Sequence, residues 1–113
     1  MHEYSIVQSL LDRVQVEVDA HGAVAVHRLR VKIGEFSGVE IALLKSAYDL
    51  FRQRTICESA ELDLVPVAGR WACPSCQRTI RRGEILRCID CDAPAKLIEG
   101  SEIILERLEM EVA

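Results

Sequence analysis

Two groups of residues in this sequence have the types and spacing to bind metal. The first is Cys73-Pro74-Ser75-Cys76 with Cys88-Ile89-Asp90-Cys91, two C-x2-C pairs separated by eleven residues. Each pair can wrap a tight turn that aims two sulfurs at one ion. Two such turns complete a tetrahedron of thiolates, which zinc(II) accepts. A closed set of four thiolates leaves no open coordination position, so the expectation is a structural metal rather than a catalytic one. Disulfides and a redox C-x2-C are the competing uses. A reducing compartment disfavours the first, and the second expects one motif in a thioredoxin-like setting. Cys57 lies outside the pattern, and a lone cysteine near a helix end reads as a small buried hydrophobe.

The second group is the start, Met1-His2-Glu3. An α-amine has a reference pKa of about 7.7, so a metal can displace its proton near neutral pH. The amine of Met1, the amide between residues 1 and 2 and the His2 imidazole can form fused chelate rings, with the Glu3 amide in a fourth position. A planar set of nitrogens suits Ni(II) or Cu(II), not zinc. By itself this signal is weak, because any Met-His terminus offers these atoms. His21, before Gly22 at a helix end, reads as a cation on the helix dipole. His27 reads as a hydrogen-bonded edge residue on the apolar face of its strand.

These groups need elements to hold them. Ile6, Val7, Leu10, Leu11, Val14 and Val18 recur at helical spacing, predicting a first helix over about 4–20, with Ser5 and Gln8 as a capping box and Gly22 as its stop. In "HRLRVKI", His27, Leu29, Val31 and Ile33 alternate with Arg28, Arg30 and Lys32, predicting a strand. Ser37 and Glu40 offer a second capping box ahead of a helix over about 40–54, whose stripe is Ile41, Leu44, Tyr48 and Phe51. Alternation returns at Leu62 and Leu64 and again at Leu108, Met110 and Val112, each against charged neighbours. The fold class expected is α+β: a small three-stranded sheet covered by two helices on one side, plus an inserted zinc-ribbon-like domain built on the four paired cysteines. The cationic strand is expected beside acidic ones, where cross-strand pairs are favourable.

Composition narrows the function. Half of the 113 residues are hydrophobic, so a packed core is expected, and aromatics at 4% argue against a base-stacking surface. The net charge of −4 divides into a local +3 over residues 68–98 and −7 elsewhere. Four thiolates with one Zn2+ carry −2, which the local cations can offset. The rival reading is a zinc-ribbon module that docks nucleic acid or protein through Arg78, Arg81, Arg82 and Arg87. Glu3, Asp12 and Glu17 interrupt the start, and no apolar run reaches the ~20 residues of a membrane span, so a cytoplasmic protein with no membrane partner is expected. No nucleophile–base pair, phosphate loop or paired-carboxylate site is visible, which points away from an enzyme.

"MHEYSIVQSLL", "VKIGEFSGVEIALLKSAYDLF" and the paired Cys-x2-Cys after "LVPVAGRWAC" together resemble the HypA/HybF family, nickel metallochaperones for [NiFe]-hydrogenase maturation. The resemblance spans essentially the whole chain. It implies a nickel-binding α/β domain of residues 1–67 and 99–113 and a zinc-binding domain of residues 68–98. It places nickel on His2, with the Met1 amine and the backbone at Glu3, and zinc on Cys73, Cys76, Cys88 and Cys91. Ni(II) is then transient cargo and Zn(II) a structural ion. Implied partners are a nickel-handling GTPase and the hydrogenase large-subunit precursor, without nucleic acid; a homodimer is compatible, and urease maturation is a further role in some members. Glu35 falls in the resembling stretch with no chemical role beyond a turn or helix-entry contact. Tyr4 is bulkier than the usual aliphatic residue, and Asp92 follows the last cysteine where glycine is common.

Overall fold

The computed structural model describes residues 2–113. Two helices and six strands follow in the order α1 (His2–His21), β1 (Ala23–Gly34), α2 (Ile41–Phe51), β2 (Glu61–Val67), β3 (Arg70–Ala72), β4 (Thr79–Ile80), β5 (Lys96–Glu99) and β6 (Ile103–Val112). They form two three-stranded sheets, ordered β2-β1-β6 and β4-β3-β5. The class is α+β, as the patterning predicts. Among the described residues, no helix is long and apolar enough to cross a membrane.

Contacts divide the chain into two compact units. One takes in residues 2–32, 39–65 and 104–113, the other 33–38 and 66–103. In the first unit α1 buries Val7, Leu10, Leu11, Val14 and Val18 and packs on α2 through Leu44, Ala47 and Tyr48. Leu29 and Val31 of β1, both 0% exposed, join the same core. Each such aliphatic burial is worth roughly 1.5–3 kcal/mol, and truncating one to alanine costs about 2–5 kcal/mol.

The cationic strand β1 lies between the two acidic ones. Arg28 pairs with Glu61 at 2.8 Å and Glu109 at 3.5 Å, Arg30 with Asp63 at 3.1 Å, and Lys32 with Glu106 at 2.8 Å. The pairs advance together along β1 and β2, as in parallel neighbours, and in opposite senses along β1 and β6. Exposed pairs of this kind contribute about 0–1 kcal/mol each, so their use is mainly to fix register.

Local signals are the part that the structure corrects. The first helix begins at His2, so Ser5 lies inside it rather than at its cap, and Gln8 donates to Asp12 at 3.1 Å. Gly22, at φ +62°, ends that helix as expected. The second helix opens on Glu40 without a side-chain cap hydrogen bond, so Ser37 and Glu40 form no capping box. It stops at Phe51, three residues short of the expected end, and Arg54 turns to φ +64°. Its stripe rotates towards Ala47, leaving Ile41 and Phe51 partly exposed. In β1 the buried set passes from Val26 to Leu29, which shifts the alternation and turns His27 outward.

In the second unit the polypeptide makes very close approaches. A Cβ on Gly34 would stand 2.3 Å from the Gly100 carbonyl oxygen, and one on Gly69 would strike the Phe36 ring at 2.2 Å. Phe36 meets Trp71 edge to face with centroids 5.9 Å apart. Backbone bonds from Glu35 to Val67 at 2.8 Å and from Phe36 to Gly100 at 2.8 Å tie the "GEF" turn into this unit.

Candidate metal centre

The four cysteines converge from two turns of the same design. In the first, Cys73 N–H donates to the Arg78 carbonyl at 2.9 Å and Gln77 N–H to the Cys73 carbonyl at 2.8 Å. In the second, Cys88 N–H donates to the Ala93 carbonyl at 2.9 Å and Asp92 N–H to the Cys88 carbonyl at 2.9 Å. Each knuckle places the residue after its second cysteine in the left-handed region, Gln77 at φ +65° and Asp92 at φ +51°. Aspartate tolerates that conformation better than most side chains. Arg87 holds Asp92 there, donating to its carboxylate at 2.8 Å and to its carbonyl at 3.0 Å.

The sulfurs of Cys73, Cys76, Cys88 and Cys91 all lie within 4.8 Å of one another. Those of Cys76 and Cys88 are 3.7 Å apart. A tetrahedron with metal–sulfur bonds of about 2.3 Å has an edge of about 3.8 Å, so the spacing fits such an ion. Cys73 and Cys88 are buried, whereas Cys76 and Cys91 face solvent. The amides of Cys76 and Ser75 point at the Cys73 sulfur and help bring its pKa down to about 6. Cys88 is lowered in the same way by the amides of Cys91 and Asp90. Hydrogen bonds with the Cys76 and Cys73 sulfurs push Cys91 up to about 12. Four thiols so crowded cannot all ionise alone, and a thiophilic divalent cation supplies the charge that lets them.

The cations around this cluster are mostly committed. Arg82 pairs with Glu35, Arg87 with Asp92 at 2.8 Å and Arg70 with Glu99 at 3.1 Å. Arg78 Nε and Nη2 are buried and meet no hydrogen-bond partner among the described residues. Of the four arginines that a nucleic-acid surface would need, Arg82 and Arg87 are thus paired with carboxylates. The eleven residues between the two cysteine pairs do not close on one another as a simple hairpin. Gly83 turns at φ +92°, but β4 pairs with β3, and Arg87 instead bridges Pro94.

Met1 lies outside the described residues. His2 is exposed at the first position of α1, and Glu3 beside it is 9% exposed. The remaining candidates have local partners. His21 Nδ1 lies 2.9 Å from the Glu17 carbonyl oxygen, and His27 Nε2 lies 3.1 Å from Glu111. His27 is thus on the charged face of the central strand, neither apolar-facing nor at an edge. Cys57 is fully buried, and burial pushes its thiol up. Tyr48 donates to the Ala60 carbonyl at 2.8 Å in the same region.

Glu35 is the residue whose use the sequence hides. Its carboxylate accepts the Gly69 N–H at 2.8 Å and both terminal nitrogens of Arg82, and the Arg82 guanidinium holds its pKa below the usual range. The pairing spans 47 residues of chain, beyond the reach of any local pattern.

A family model described as "Hydrogenase/urease nickel incorporation, metallochaperone, hypA" matches residues 1–110. The hydrogenase maturation factor HypA of Shewanella oneidensis is 35% identical over 115 residues, covering 100% of this chain and 98% of its own. That of Wolinella succinogenes is 37% identical over 114 residues, covering 98% and 96%. The solution structure of the Ni metallochaperone HypA from Helicobacter pylori matches with a TM-score of 0.77 at 29% identity over 98% of each chain. A second solution structure of a HypA protein matches with a TM-score of 0.82 at 30% identity, covering 100% of this chain and 98% of that one.

Proposed function

The chain belongs to the HypA family of nickel metallochaperones, which act in hydrogenase maturation, and from that premise we propose that it carries Ni(II) at its own N-terminus and hands it to the hydrogenase large-subunit precursor. The ligand set is the His2 imidazole, the amine of Met1 and the backbone amides at His2 and Glu3. The observation that carries this reading is the position of His2 as the exposed first residue of α1. The first four N–H groups of a helix have no intrahelical acceptor. Deprotonating the amides of His2 and Glu3 therefore breaks no helical hydrogen bond, and two amide anions neutralise the charge of the bound Ni(II). An exposed site also leaves the cargo open to a receiving protein.

The four cysteines hold zinc(II) in this reading, as a closed structural centre separate from the nickel. The functional division we propose is a nickel-binding α/β domain of residues 1–67 and 99–113 and a zinc-binding domain of residues 68–98. The protein works as a carrier in the cytoplasm, and any nucleotide hydrolysis belongs to a GTPase partner. Pairing of Arg82 and Arg87 with carboxylates favours this over a nucleic-acid surface.

Titrating Ni(II) into tag-free protein and its His2→Ala variant tests the central claim. A loss of tight nickel binding is expected in the variant, with zinc content unchanged. Equal nickel affinity in the two proteins would overturn it. A tag on the N-terminus removes the amine and should mimic the loss.

A further inference from the structure

Phe51, the last residue of α2, leaves the core stripe that its spacing suggests and is 40% exposed. Its ring is not idle there. It meets the ring of Tyr4 edge to face, with centroids 5.1 Å apart and planes at 80°. That arrangement sets the positive edge of one ring against the negative face of the other, which aromatic pairs favour. Tyr4 is half-buried in the first turn of α1. Val7 is the first aliphatic side chain of that helix to be fully buried. Ahead of it, His2 and Ser5 are exposed, and the first-turn N–H groups have no intrahelical acceptor. A helix start held so lightly is prone to open locally. The Tyr4–Phe51 pair ties it to the second helix, two residues after His2.

We propose that Phe51 is a positioning residue for nickel: its ring anchors Tyr4 and so holds the first turn of α1 directly behind the nickel ligands. This rests on the reading of the N-terminus as the nickel site. Ligands on the loose end of a chain retain an ion only while they stay together. A fixed point at Tyr4 limits how far they can swing once one of them lets go, so that ligand rebinds before the ion escapes. Both rings are at least partly exposed, and α1 keeps Val7, Leu10, Leu11, Val14 and Val18 in the core without them. Loss of the ring therefore loosens the terminus and leaves the helix pair folded. Phe51 sets how long the cargo stays, although it supplies no ligand atom.

The test compares tag-free wild type with Phe51→Ala, Phe51→Tyr, Tyr4→Ala and Leu50→Ala. Nickel affinity, the rate of nickel loss to a competing chelator and the circular dichroism of the nickel d–d bands are measured for each. Phe51→Ala is expected to lose nickel about 2–10-fold faster and to bind it more weakly by the same factor, the scale of one edge-to-face contact. Its d–d bands should keep their positions, because the donor atoms are unchanged. Phe51→Tyr keeps the ring and should restore wild-type retention. Tyr4→Ala should show the same loss, and the double variant should add nothing to it. Tyr4→Ala also supplies the measurement if Phe51→Ala does not fold. Leu50, the exposed neighbour of Phe51, lies outside the contact, so Leu50→Ala should match wild type. Wild-type retention in both Phe51→Ala and Tyr4→Ala, with binding lost in His2→Ala, would overturn this proposal alone. So would an equal loss in Leu50→Ala, which would reduce the effect to a general loosening of α2. Equal nickel affinity in His2→Ala and wild type would overturn the reading beneath it, and the proposal with it.

Discussion

At the scale of single residues, burial separates the five cysteines into different chemistries. Cys57 is closed off, and burial pushes its thiol above the usual range, so it stays protonated and unreactive at neutral pH. Brief treatment of the native, metal-loaded protein with iodoacetamide should leave Cys57 unmodified by mass spectrometry, and unfolding should expose it. Rapid labelling of Cys57 in the native state would contradict its placement beneath Tyr48. The other four were legible in the sequence, because two thiols with two residues between them are a local pattern with few uses. Asp92 shows how a departure from that pattern is accommodated: its left-handed backbone favours glycine, and Arg87 offsets the cost by gripping the side chain and carbonyl together. The role of Glu35 could not be read in advance, since its partners Gly69 and Arg82 are remote in the chain.

Between elements, that same Glu35 joins the "GEF" turn after β1 to the loop between the knuckles. A carboxylate whose pKa is depressed contributes stability that is full above its unfolded value and is lost as pH falls through the folded one. The Glu35 side-chain carboxyl should therefore titrate below the ordinary 4.5 when followed by NMR, and Arg82→Gln should move its midpoint upward. A midpoint at or above 4.5 in wild type would show that the ion pair does not persist in solution. Helix and strand identities were legible from period because burial imposes period. Their ends were not: α1 starts and α2 stops where neighbouring backbone dictates, and neither S-x-x-Q nor S-x-x-E marks a cap. The shift of alternation in β1 likewise comes from packing, which reversed the expected orientation of His27.

For the molecule as a whole, the two units should differ in what holds them. The first has a core of aliphatic side chains from both helices and β1, whereas the second has strands of three, two and four residues around the cysteines. So small a sheet depends on its metal for most of its order. Stripping metal with a chelator should leave the far-UV helical signal nearly intact while the amide resonances of residues 70–99 lose dispersion. Concerted loss of both would show that the units do not fold independently. The arrangement of charge in the larger sheet has a further consequence, for crowding. Its two outer strands are the acidic ones, and β2 also carries Pro66. When two copies meet edge to edge, mostly acid faces acid, with Arg107 the one cation on the outer strands, while Arg28, Arg30 and Lys32 are enclosed on β1. A sheet built this way resists growing into a ribbon through its strand edges.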